Sequence, residues 1–149
     1  MRAAAGAFIL NSGISKLMAE KETYDRLHGF ASGAYPVLEN VPPGRFGKAL
    51  AAAEVALGGA LLAPVVVGDG PAGLALIAFS GGLLGLYMKT PGLRQEGSVR
   101  PTHDGTAIAK DVWLAGIGLT LIASSVGSRW TARKVGKRRG HHKDTTGSR

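Results

Sequence analysis

Apolar positions fall into four blocks, over residues 3–19, 48–67, 71–88 and 105–125, separated by stretches rich in charge, Pro and Gly. A helix rises ~1.5 Å per residue, so ~20 residues match the ~30 Å of a bilayer's hydrocarbon core. The pattern predicts an all-α chain: a polytopic membrane protein built as a four-transmembrane-helix bundle. Its first connection is partly structured, and a basic C-terminal tail follows the last span.

Polar residues interrupt three of the four blocks. The first is apolar at its start but carries Asn11, Ser12 and Lys16; the second carries Glu54; the fourth has Lys110 and Asp111 about one turn inside its first end. An ionised side chain at the middle of a spanning helix costs roughly 3 kcal/mol, less near an end, so such residues face protein or water and have partners. An up-down bundle brings the end of the first span and the starts of the second and fourth to one level. Asn11, Lys16, Glu54, Lys110 and Asp111 are therefore the candidate polar cluster. Its formal charges cancel, the arrangement in which buried charge is tolerable. Lys110 and Asp111 are adjacent and point ~100° apart, so each needs a different neighbour. The expectation pairs Asp111 with Lys16 or Asn11, and Lys110 with Glu54 or the first connection. Three uses compete: lysines snorkelling to the interface, an ionic clamp between helices, or a pocket for a small polar or quinone-like ligand.

The first connection, residues 20–47, contains Pro36, Pro42 and Pro43 but also Leu27, Phe30, Tyr35, Leu38 and Phe46, too apolar for a free linker. It is expected to lie across one end of the bundle as a partial lid. Small residues recur every four positions at Ala52, Ala56 and Ala60, and Gly81 and Gly85 form a GxxxG match; both spacings let membrane helices approach closely. Packing within the chain is the first use of these positions and homodimerisation the second. Pro64 is placed to kink the last turn of the second span, Gly68–Pro71 reads as a tight turn, and Asp104 as the N-cap of the fourth span.

Charge sharpens this picture. Of a net +8 over 149 residues, almost all lies after residue 128, where there are eight Lys/Arg and one Asp. Basic residues that follow a spanning helix mark a cytoplasmic flank, not a nucleic-acid surface, and Trp130 is placed as an interfacial aromatic. Beyond Lys134 the composition predicts disorder. With four spans, both termini are then cytoplasmic. The absence of cysteine excludes disulfides, thiolate metal sites and thiol–disulfide chemistry within this chain. His28, His103, His141 and His142 are read as lying in connections or the tail, which offers no metal site and no intrinsic cofactor. Arg2 before an apolar run has the outline of a signal peptide, yet Asn11, Ser12 and Lys16 break the core and no small-x-small site follows. A retained first helix is expected.

The segment from Arg2 to Leu17 (R-A-A-A-G-A-F-I-L-N-S-G-I-S-K-L), the Glu54-bearing small-residue span and A-I-A-K-D-V-W-L-A-G around Lys110–Asp111 resemble the DoxX-like family of small four-helix bacterial membrane proteins. The stretch G-L-Y-M-K-T-P-G-L-R resembles an actinobacterial subgroup. The likeness covers roughly residues 2–125. It implies a multi-pass protein of the bacterial inner membrane, embedded in the lipid bilayer and associated with oxidoreductase systems, with Asn11, Lys16, Glu54, Lys110 and Asp111 as the matching positions. Lacking cysteine, a membrane histidine and a dinucleotide fingerprint, the chain would need a bound quinone or a partner for electron transfer. The first expectation is thus a non-catalytic or accessory subunit of a membrane-associated, quinone-linked oxidoreductase. The alternative is a small-solute or lipid transport or handling protein that uses a polar pocket under the first loop.

Overall fold

The computed structural model describes residues 1–95, 97–103, 105–109 and 111–144, with the side chains of 107, 129 and 131–144 left aside. Among these residues the fold is all-α and has no strand beyond an isolated bridge between Arg94 and Pro101. The helices are α1 (Arg2–Leu17), α2 (Lys21–Ala34), α3 (Pro43–Leu62), α4 (Asp69–Lys89), α5 (Thr106–Ala109) and α6 (Val112–Asp144), with one 3₁₀ turn at Pro36–Leu38.

Two antiparallel pairs make the body, α1 with α3 and α4 with α6. Glycine sets how closely each pair approaches. A Cβ at Gly58 would lie 2.6 Å from the backbone nitrogen of Leu10, and one at Gly13 would lie 2.8 Å from that of Val55. In the other pair, a Cβ at Gly73 would lie 2.7 Å from the carbonyl oxygen of Gly118. No side chain fits at these crossings. The pairs meet over a core of Ala5, Ile9, Leu57, Leu61, Ala72, Leu76, Leu114 and Leu121, to which all four long helices contribute. The amphipathic α2 packs on α3 and α4 from one side.

Four boundaries differ from the sequence reading. The second block begins its helix at Pro43, five residues before Lys48, because proline suits the first helical position and Phe46 N–H already reaches Pro42 O at 3.0 Å. The same helix stops at Leu62 and does not run kinked to Val67. Ala63, which precedes Pro64, takes φ −110° and ψ 69°, outside the helical region that a following proline disfavours. The fourth block is not one helix. After α5 the chain makes a tight turn, Asp111 N–H to Ile108 O at 2.9 Å, and Asp111 then stands at the N-cap position of α6. At the other end α6 continues through the basic stretch to Asp144, where disorder was expected beyond Lys134; residues 145–149 lie outside the described residues, as does the expected cap Asp104.

The connection from α4 to α5 is tied rather than loose. Thr102 N–H meets Leu93 O at 3.0 Å, the Tyr87 hydroxyl donates to Val99 O at 2.7 Å, and Gly105 is so close that a Cβ would lie 1.8 Å from Leu93 O. This anchoring fixes where α5 and the start of α6 stand.

Among the described residues one helix, Asp69–Lys89, is long and apolar enough to cross a membrane, with a mean hydropathy of 1.6 and only 28% of its apolar window buried. Val112–Ser128 is a shorter apolar helix. Large apolar side chains also stand on the outside, among them Phe8, Leu74, Trp113, Leu119 and Val126.

Candidate functional site

Between the two helix pairs and beneath α2 lies a half-open cavity of about 580 Å³. Its α1 wall is Phe8, Ile9, Ser12 and Lys16; Leu50 and Glu54 face it from α3, and Phe79, Gly82 and Leu83 from α4. Leu27, Phe30 and Ala31 of α2 cover it, while Ile108, Asp111 and Leu114 bring the α5–α6 break to its edge.

The polar end is built by local helix geometry. Ser12 and Lys16 are one turn apart on α1, and the Lys16 ammonium donates to Ser12 Oγ at 2.7 Å. The same nitrogen is 2.8 Å from Glu54 Oε2, with the carboxylate side chain only 7% exposed. Gly13, between the two α1 residues, is what lets this pair form: a Cβ there would press on Glu54 Cβ at 2.9 Å. Glu54 sits eleven residues into α3, about 16 Å from its start at ~1.5 Å per residue. It is therefore a mid-helix acid and not one near an end.

The lid is held by two tyrosines. The Tyr24 hydroxyl donates to the Lys16 carbonyl at 2.7 Å while its ring covers Gly47, where a Cβ would lie 2.1 Å from ring carbon Cδ1. The Tyr35 hydroxyl donates to Gly82 O at 3.0 Å, and Lys89 Nζ stands 4.5 Å from the Tyr35 ring centroid. His28, read as lying in a connection, is on α2, with Nε2 2.9 Å from Leu38 O and its ring edge-on to Phe46.

Three of the five cluster residues, Lys16, Glu54 and Asp111, border this cavity. The pairing differs from expectation: Lys16 joins Glu54, not Asp111, because α1 crosses α3 closely at Gly13 and packs along it, whereas it touches α6 only slightly. Asn11 is exposed and borders a shallow groove with Ser15 and Thr23; Lys110 lies outside the described residues. The expected packing stripe also faces elsewhere. Ala52 and Ala56 are exposed, Ala60 is half-buried and Gly81 has nothing within 4 Å, while Gly85 backs the Tyr35 hydroxyl. Packing within the chain runs instead through Gly6, Gly13, Gly58, Gly73 and Gly118.

Sequence reasoning missed a second polar knot at the far end. Arg2 pairs with Asp69 and donates to the carbonyls of Leu61 at 2.8 Å, Ala60 at 2.8 Å and Val67 at 2.6 Å. It ties the start of α1 to the end of α3 and the start of α4, and Ser124 of α6 reaches Asp69 at 3.3 Å. The one signal was an acid in the tight turn Gly68–Pro71, opposite an N-terminal arginine. Among the described residues, no three His, Asp or Glu side chains come together to hold a metal ion.

Comparison of the chain with protein-family models, with curated proteins and with solved structures returns no match. The functional reading therefore stands on geometry and on the residues themselves.

Proposed function

We propose that this chain is a small integral membrane protein with four spans, α1, α3, α4 and the apolar part of α6, and that it serves as an accessory, non-catalytic subunit of a membrane-associated, quinone-linked oxidoreductase. The observation that carries it is the cavity: a half-buried Lys16 paired with a buried Glu54 in an otherwise mostly apolar chamber between helices. Pockets lined this way, with few convergent polar groups, bind apolar molecules in a fixed orientation. Support for the membrane comes from the apolar and largely uncovered α4, the apolar Val112–Ser128 and the outward Phe8, Trp113 and Leu119, which in water would be an aggregation surface. The likeness to DoxX-like proteins in α1 and around Asp111 supports the oxidoreductase association. Both ends of the chain are then cytoplasmic, and the basic end of α6 follows its apolar part as positive-inside flanks do.

A second reading is favoured by the cavity's being half-open and mostly apolar: a protein that takes up and hands on a lipid or small solute from beneath α2. Native mass spectrometry after mild-detergent extraction separates the two. A stoichiometric redox partner with bound quinone supports the subunit. A lone protein that moves solute or lipid between vesicles supports the handling role. Recovery of the chain from the soluble fraction without detergent overturns both.

A further inference from the structure

We infer that the cavity beneath α2 binds a neutral, carbonyl-bearing amphiphile, with its oxygen held by Ser12 and Lys16 and its hydrocarbon body against α2 and α4. This rests on reading the chain as a membrane protein with a ligand chamber, and it names the class of ligand.

The first argument counts donors. An ammonium group has three N–H bonds, and Lys16 uses one on Ser12 Oγ and one on Glu54 Oε2. Its third N–H and the Ser12 hydroxyl hydrogen find no acceptor among the described residues, and both groups border the cavity. The two heavy atoms are 2.7 Å apart. Two neighbouring donors at the cavity wall, which they share with the shallow groove beside Asn11, form a nook for a single oxygen acceptor.

The second argument concerns charge. Glu54 already neutralises Lys16, and Asp111, itself engaged within the protein, adds a further carboxylate at the rim. An anionic head would have to displace Glu54 from Lys16 or stand beside its carboxylate at low dielectric, where like charges cost more than in water. A cationic head would bring further donors beside an ammonium, where the unused valences are already donors. A neutral carbonyl fits both conditions.

The third argument is the wall. The chain has four phenylalanines, Phe8, Phe30, Phe46 and Phe79, and all four border this one cavity. Phe8 and Phe30 are the exposed members, 58% and 46%, and so mark its open side. A volume of about 580 Å³ falls within the ~300–1,000 Å³ of small-molecule sites.

The test uses the full chain in nanodiscs, with ligand occupancy read by native mass spectrometry. Four probes share a ten-carbon chain: a decyl-substituted benzoquinone, monodecanoylglycerol, decanoate and decylamine. The expected result is binding of one or both neutral carbonyl probes at least tenfold tighter than the acid and the amine. The quinone alone identifies a planar dione as the natural class; both together identify carbonyl amphiphiles in general, including glycerides. Ser12→Ala is expected to weaken the preferred probe about fivefold, the worth of one hydrogen bond. Leu83→Trp, which fills the chamber, is expected to abolish binding while the helical circular dichroism is kept, and Leu119→Ala on the outer surface to leave it unchanged. Equal binding of decanoate, or binding indifferent to Leu83→Trp, overturns the proposal. Loss of binding selectivity with membrane insertion and partner intact removes only this inference; loss of membrane insertion removes the reading beneath it.

Discussion

Arg2 and Lys16 stand at opposite ends of the same helix, each paired with an acid from another helix, and they do different work. The Arg2 guanidinium is spent almost wholly within the protein: Asp69 and three carbonyls take four of its five N–H bonds, its side chain is 13% exposed, and it does not border the cavity. Lys16 shares its ammonium between Ser12 and Glu54, keeps a donor in hand and borders open space. An ion pair set away from the cavity is a fastener. One that leaves a donor at the wall of a chamber is a fastener with an opening for a ligand. What the cation borders, more than its burial, separates the two.

That contrast can be broken by substitution, taking the largest effect first. Lys16→Met strands Glu54 in a site where it is 7% exposed, and removing one partner of a buried pair costs roughly 3–5 kcal/mol. Adding Glu54→Leu is expected to restore most of that stability in reversible unfolding from detergent, because a matched apolar pair is tolerated where a lone charge is not. The double variant should nonetheless fail to bind the carbonyl probe. Full stability together with full binding would show that the pair is only a fastener.

Arg2→Ala comes next, at about 2–3 kcal/mol, since it leaves three carbonyls without donors, discounted because Asp69 is 41% exposed and screened by solvent. Arg2→Lys should recover less than half, as an ammonium cannot fork to several acceptors. Neither is expected to alter ligand binding, and a change in affinity for Arg2→Lys would merge the two ends into one system.

Gly13→Ala is expected to cost about 1–3 kcal/mol by forcing α1 from α3, and to loosen the Lys16–Glu54 contact with it, visible as weaker probe binding. Gly81→Ala, where nothing lies within 4 Å, should stay within about 0.5 kcal/mol. Tyr35→Phe falls between these two: loss of the bond to Gly82 O should cost about 1 kcal/mol and speed ligand exchange by loosening the lid.

Much of this arrangement was legible in the residues. Charges placed in apolar blocks pointed to Lys16, Glu54 and Asp111, and all three border one cavity. Apolar groups such as Leu27 and Phe30 marked the first connection as packed, and they lie on α2 over that cavity. Partner choice was not legible. It depends on how closely helices cross, and α3 carries small residues all around its circumference. Ala52, Ala56 and Ala60 match the expected spacing as well as Gly47, Ala51 and Gly58 do, so spacing alone could not choose the face. The break at Asp111 was hidden for a related reason. An aspartate inside an apolar run reads equally as a buried charge or as the cap of a new helix, and only the tight turn from Ile108 separates them. Arg2 read only as the basic start of a signal-like segment, because its acceptors are mostly carbonyls, which no side-chain pattern announces.

The chain has no cysteine, so a single introduced thiol reports on the central claim without background. Asn11 and Ser12 are neighbours on α1, the first exposed and bordering only the outer groove, the second bordering both that groove and the cavity. N-ethylmaleimide should alkylate both Asn11→Cys and Ser12→Cys in vesicles. Monodecanoylglycerol or the decyl benzoquinone should slow the reaction at position 12 about tenfold and leave position 11 unchanged. Equal rates at position 12 with and without either probe would contradict the account.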